Sequence, residues 1–139
     1  MNKLRSAGLI MLTLAVGPAS AADLTCPTAS PSHDWKGFRM ERSQIRPLED
    51  DEAPNSLGAV KAVSVFDGSP TEMADLVPDN PDSFGKAPLV WSLPDGMKRV
   101  VWVVCRYKNG IAFGRALPSS VRMCSVEGGP GKVFKIRCK

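Results

Sequence analysis

The sequence predicts a mainly-β domain, of α+β class at most: a small antiparallel sheet run as a β meander, with one short helix and two disulfides. Three observations predict it. Strand-length runs of β-branched and aromatic residues are separated by Gly, Pro, Asp and Asn. Only one segment carries a helix-start signature. Four cysteines, an even number, follow an export-type leader.

The leader comes first in the chain. Lys3 and Arg5 precede an apolar run from Gly8 to Gly17, and Ala19-Ser20-Ala21 supplies the small-residue pattern that signal peptidase cuts behind. A span of a bilayer needs roughly twenty apolar residues, about twice what this run offers. Residues 1–21 are therefore expected to be a cleavable signal peptide, with no stable membrane span and no cysteine at the cut to take a lipid. The expected location is an exported, oxidising compartment. Residues 22–139 then form a single disulfide-stabilised domain, an irregular N-terminal arm over 22–55 and a sheet core over 56–139.

Within the arm, Pro27 to Asn55 is rich in Pro, Ser and charge and has no sustained period. It carries Trp35, Phe38 and Met40, and Arg39 to Ile45 reads as a strand or a single turn. Pro47 and Pro54 bound an acidic run, Glu49-Asp50-Asp51-Glu52, which reads as an exposed loop. Val60 to Asp67 alternates in strand fashion and stops at Asp67-Gly68. Ser69-Pro70-Thr71-Glu72 has capping-box spacing with Pro at the first helical position, predicting a short helix over Pro70 to Leu76.

The last third reads as the meander. Ala87 to Leu93 is one strand, turned by Pro94-Asp95-Gly96. Arg99 to Tyr107 is the strongest, and its near-continuous apolar run suggests a central strand buried on both faces. Asn109-Gly110 predicts a two-residue hairpin turn with positive φ at both positions. Ile111 to Ala116 returns, Leu117-Pro118 breaks it, and Val121 to Val126 pairs with Val133 to Cys138 around residues 127–132. Phe66, Trp91, Trp102 and Phe134 are the expected aromatic core, packing rather than recognising a ligand.

The cysteines, Cys26, Cys105, Cys124 and Cys138, are separated by 79, 19 and 14 positions, and the sole histidine is His33. That spacing suits neither a zinc site nor a thioredoxin-like pair. Four cysteines allow three connectivities. Folding the last hairpin brings Cys124 near Cys138, which favours Cys26 with Cys105 for the second bond. In a chain-entropy treatment a loop of ~14 residues contributes about 3 kcal/mol and one of ~80 about 4.5.

Chemistry is harder to find. His33 stands in a solvated Ser-Pro-rich loop, the acids mostly adjoin Pro or Gly, and Gly128-Gly129-Pro130-Gly131 joins two strands instead of opening a helix. No catalytic, cofactor-binding or metal-binding residues are assigned, and the chain is read as not an enzyme. Without Lys3 and Arg5, 16 basic residues face 14 acidic ones, a net charge of +2 with mixed signs, which argues against nucleic acid.

A resemblance covers nearly all of residues 22–139. Leu24-Thr25-Cys26-Pro27, Val65-Phe66-Asp67-Gly68-Ser69-Pro70, Leu76-Val77-Pro78-Asp79, Trp91, Trp102-Val103-Val104-Cys105-Arg106-Tyr107, Leu117-Pro118, Cys124 and Arg137-Cys138 carry it. In this order and combination the chain resembles a family of small uncharacterised exported four-cysteine proteins of Gram-negative bacteria. The resemblance implies a periplasmic disulfide domain and transfers no catalytic residue.

The function expected is that of a monomeric, non-enzymatic protein-binding module, inhibitor or immunity-like, whose partner is another exported or envelope protein. The alternative is an envelope-associated structural or small-ligand-binding domain. Arg106 and Tyr107, ending the central strand, are the expected partner contacts at the sheet rim. Glu49, Asp50, Asp51 and Glu52 would meet a basic partner and speed encounter.

Overall fold

The computed structural model describes residues 22–29 and 32–139. The expected signal peptide, 1–21, lies outside the described residues. The strands are β1 (Ala22–Thr25), β2 (Lys36–Glu41), β3 (Gln44–Pro47), β4 (Val60–Asp67), β5 (Asp75–Leu76), β6 (Leu89–Ser92), β7 (Val101–Tyr107), β8 (Ile111–Ala116), β9 (Met123–Glu127) and β10 (Lys135–Cys138). All pairings are antiparallel.

These strands divide between two sheets rather than forming one meander. The first has the order β1-β10-β9-β6 and the second β3-β2-β8-β7-β4-β5. After β6 the chain crosses to the second sheet for the β7–β8 hairpin, then returns for β9 and β10. Leu24, Trp91, Val126 and Ile136 of the first sheet share one core with Val63, Val65, Val103, Ile111 and Phe113 of the second. Alternation along a strand specifies which side chains face inward; it carries no information on which sheet the strand joins.

The arm is more ordered than its composition suggests. Residues 22–55 supply β1 at one edge of the first sheet and the β2–β3 hairpin at one edge of the second. β1 and β2 pair with distant partners, Ala22 opposite Cys138 and Phe38 opposite Ala112, and β3 pairs with β2 alone. Trp35 is buried in the core.

In place of the expected helix there is a single 3-10 turn, Pro70–Glu72. The Ser69 hydroxyl does accept from the Thr71 amide, but Glu72 pairs with Arg99 instead of reaching back. Met73 then adopts a left-handed conformation (φ 60°, ψ 25°), and the Asp67 amide donates to Ala74 O as β5 joins β4. One turn fixes several dihedrals for one hydrogen bond; pairing with β4 offers these residues more.

The β7–β8 connection also departs from expectation. Its loop is the three residues 108–110, and only Gly110 has positive φ, 80°. That is the arrangement of a turn followed by a left-handed glycine, which a three-residue hairpin favours.

β7 lies between β8 and β4 and is apolar on both sides, because both sides are covered. Val101, Val103, Cys105 and Tyr107 face the first sheet. On the other side the β2–β3 hairpin curls back until β3 lies against the Pro70–Glu72 turn. The enclosed second core holds Phe38, Phe66, Val104 and Ala112, flanked by Met40, Ile45 and Trp102. Phe38 meets Trp102 edge-on at 6.0 Å, directly over Gly114, where a Cβ would lie 3.1 Å from Phe38 and 3.2 Å from Trp102. Glycine is what lets the hairpin close down.

The disulfides join Cys26 to Cys105 and Cys124 to Cys138, with Cα separations of 5.7 and 4.1 Å. The second links directly opposed residues of β9 and β10. The first ties the end of β1 to the middle of the second sheet.

Candidate functional site

Arg106 occupies the outer face of β7, opposite Ala62 of β4 and Ala112 of β8. Two small neighbours leave its side chain room to lie along the sheet. Its Nη1 approaches the Ser64 hydroxyl at 3.5 Å. Asp75, at the start of β5, lies nearby; burial pushes its carboxyl up, and the Arg106 charge and a Ser64 hydrogen bond pull against that. Among the described residues no carboxylate lies within 4.0 Å of the Arg106 guanidinium.

Around this cation is a cleft of about 340 Å³ at the open end of the curled sheet. Met40 and Ile45, opposite one another on β2 and β3, form one wall. Phe66, Met73 and Asp75 form the other, with Glu41 and Arg42 at the hairpin tip. Met73 is 51% exposed, and its left-handed backbone, uncommon for a residue with a Cβ, sets it on the rim. A cavity of about 370 Å³ between residues 93–101 and 117–122 is slightly larger, but its arginines are already matched: Arg122 with Asp95, and Arg99 with Glu72.

Tyr107 does not accompany Arg106. Successive residues of a strand point to opposite faces, so Tyr107 turns into the core, where its hydroxyl donates to Pro27 O and its ring meets Phe113 edge-on at 6.2 Å. Burial pushes its phenol up to about 12. Period-two reasoning applied to the pair would have separated them from sequence.

The acidic run forms a 3-10 turn over Asp50–Glu52. Glu52 is engaged within the protein: its carboxylate accepts from Arg39 Nε at 3.1 Å, from Arg46 Nη1 and Nη2 at 2.7 and 2.6 Å, and from the Glu49 amide at 3.1 Å. The Arg46 bonds, with those other donors, hold its carboxyl at about 2. Glu49, Asp50 and Asp51 remain exposed. Arg39 and Arg46 face away from Met40 and Ile45, so the acidic turn and the cleft lie on opposite sides of the β2–β3 hairpin. His33 is exposed, and its neighbour Asp34 pairs with Arg115 at 3.5 Å.

The apolar cleft residues other than Arg106 were not singled out from sequence as a site. Met40 and Ile45 flank the Arg42-Ser43 turn and Phe66 shares the outer face of β4. Phe66 was legible as core, whereas only the curl of the hairpin makes Met40 and Ile45 a wall facing it.

A small β-sandwich held by two disulfides presents Arg106, with no carboxylate within 4.0 Å among the described residues, in a cleft of mixed apolar and charged lining. Among the described residues no group of three or more His, Cys, Asp or Glu could hold a metal ion, and no helix is long and apolar enough to cross a membrane. The chain belongs to the type VI secretion system Tli immunity protein family, whose model matches residues 52–139. That span contains β4 to β10, Arg106 and three of the four cysteines. No curated protein and no solved structure matches the chain. Membership, with four cysteines in two disulfides, is consistent with the resemblance to small four-cysteine exported proteins.

Proposed function

We propose that this chain is an exported immunity protein that binds a toxin delivered by type VI secretion and blocks it sterically, with the Arg106 cleft as the docking site. One observation carries the docking assignment: among the described residues no carboxylate lies within 4.0 Å of Arg106, which stands in a cleft walled by Met40, Ile45, Phe66 and Met73 that also holds Glu41, Arg42 and Asp75. Arginine framed by Met, Ile and Phe has the composition of an interface centre, where a few desolvated anchors supply most of the binding energy. The partner feature that fits is a carboxylate, or a cluster of carbonyl oxygens, flanked by apolar side chains.

Rigidity supports the same reading. The Cys26–Cys105 bond crosses between the sheets and the curled hairpin is packed on Gly114, so little ordering cost remains to oppose binding. Two disulfides and the leader-like residues 1–21 suit a periplasmic site of action. Exposed Glu49, Asp50 and Asp51 would attract a basic partner over a distance of about a Debye length, ~8 Å at physiological salt.

The test is affinity for a type VI secretion toxin of the same organism, purified in an inactivated form. Arg106→Ala should weaken the complex by thirtyfold or more, the scale of an interface hot spot of about 2 kcal/mol, and Arg106→Glu further, with both variants melting as the parent does. Unchanged affinity in both variants would remove the cleft from the interface, and absence of binding by the parent would remove the immunity reading.

A further inference from the structure

β5 is only two residues long, and what lies beyond it is a vacant strand position. It covers Val65 and Phe66, leaving Val60–Ser64 of β4 with no strand on that side. The direction of the unpaired groups follows from one bond. The Asp67 amide donates to Ala74 O, toward β5, so by strand alternation the amides and carbonyls of Val65 and Val63 face the same way. Val65 is met by Leu76. The next such partner, two residues along the chain, would be Pro78, which has no amide proton to give. The chain peels away there to the first sheet, and no main-chain hydrogen bond replaces the missing one at Val63 among the described residues.

The neighbouring sheet edge is treated differently. Asp79 and Asn80 seal β6: the Asp79 amide donates to Val90 O at 2.7 Å, Asn80 Oδ1 accepts from the Val90 amide at 2.9 Å, and Asp79 Oδ2 accepts from the Ser92 amide at 3.0 Å. A fold that closes one edge with side chains and leaves the adjacent one bare has a groove between them. It measures about 340 Å³, is walled by Val63, Leu76, Phe84 and Trp91, and is rimmed by Val77, which is 77% exposed. Asp75 lines both this groove and the Arg106 cleft, so the two form one continuous surface.

Resting on the immunity reading, we infer that the toxin contributes an extended segment that adds as a strand beside Ala62–Ser64, in the place β5 vacates. Main-chain bonds to Val63 give that segment its register, and its alternate side chains, apolar ones, enter the groove against Phe84 and Trp91. The bulge at Lys61, where the register slips between Val60 and Ala62, places a charge beside the same short edge. That opposes pairing with a second copy and favours a segment bearing an acid at the matching end.

The experiment is amide exchange by NMR on the free protein and on its complex with the inactivated effector. The Val63 amide, fast in the free protein, should slow at least a hundredfold in the complex. Two variants accompany it. Val63→Pro deletes the outward-facing donor, at a position where an edge strand tolerates proline, and also replaces the buried Val63 side chain. Phe84→Asp alters an exposed wall without touching the strand. Each should weaken the complex at least tenfold, and Phe84→Asp serves should Val63→Pro fail to fold. Unchanged Val63 exchange, with Phe84→Asp binding as the parent while Arg106→Ala is impaired, would overturn the added strand and leave the immunity reading standing. Protection of Val63 that rises with the concentration of the free protein would mean that a second copy takes the place, and would overturn it too. If the parent does not bind the effector, both readings fall together.

Discussion

Removing the Cys26–Cys105 bond by the double replacement Cys26→Ala/Cys105→Ala should be the most damaging disulfide change available. The bond closes 79 positions and the Cys124–Cys138 bond closes 14. Loop-closure entropy then gives about 4.5 kcal/mol for the first and about 3 for the second. The difference, about 1.5 kcal/mol, rests on chain length alone. All four cysteines are buried and the strands around them keep their hydrogen-bonded neighbours, so the voids left by the two double variants are comparable and cancel in the comparison. Urea unfolding followed by tryptophan fluorescence, on the parent and both double variants, measures this directly. With a domain stability of roughly 5–15 kcal/mol, the first variant loses a third or more of the total and its melting point falls by roughly 15 °C. Equal losses in the two variants, or a larger loss from Cys124→Ala/Cys138→Ala, would refute the reasoning.

Two titrations test the interior more gently. Tyr107 is the sole tyrosine, so absorbance near 295 nm reports it alone. Its midpoint should lie near 12, and because the unfolded chain ionises first, at about 10, the stability it contributes is intact below that pH and lost on rising through 12; a midpoint near 10 would place the ring in water. Glu52 runs the other way: its folded carboxyl sits near 2 against 4.5, so the contribution of the Arg39–Glu52–Arg46 cluster is complete above pH 4.5 and disappears as the pH falls through 2. A carbon-detected carboxyl titration should find it, and Glu52→Gln should flatten the acid limb of the stability curve.

The strands that could be read from sequence are those whose own residues state the case. Val60–Asp67 and Val101–Tyr107 are rich in β-branched residues, and Ile111–Ala116 stands between the Asn109-Gly110 turn and the Leu117-Pro118 break. The cysteine pairing was legible because a hairpin makes neighbours of Cys124 and Cys138. β1 was not legible, and the strand or single turn expected over Arg39 to Ile45 straddles β2, β3 and the turn between them: β1 and β2 hold because β10 and β8, some seventy or more positions away, supply their hydrogen bonds, and β3 holds by pairing with β2. The same distance hid the cleft. Arg106 could be chosen as a strand-end cation, whereas its walls come from Met40 and Ile45 on a hairpin whose curl no local pattern encodes. Met73 was hidden for another reason, since nothing in the residue type announces a left-handed backbone.

The pairing of Cys26 with Cys105 and Cys124 with Cys138 joins each cysteine to the next one along the chain. For a polypeptide entering an oxidising compartment N-terminus first, thiols appear in the order 26, 105, 124, 138. An oxidant that links each newcomer to the one free thiol already present would therefore make the native bonds and no others. Correct connectivity is written into the order of delivery, and such a chain could mature with an oxidase alone, without an isomerase to repair its mistakes.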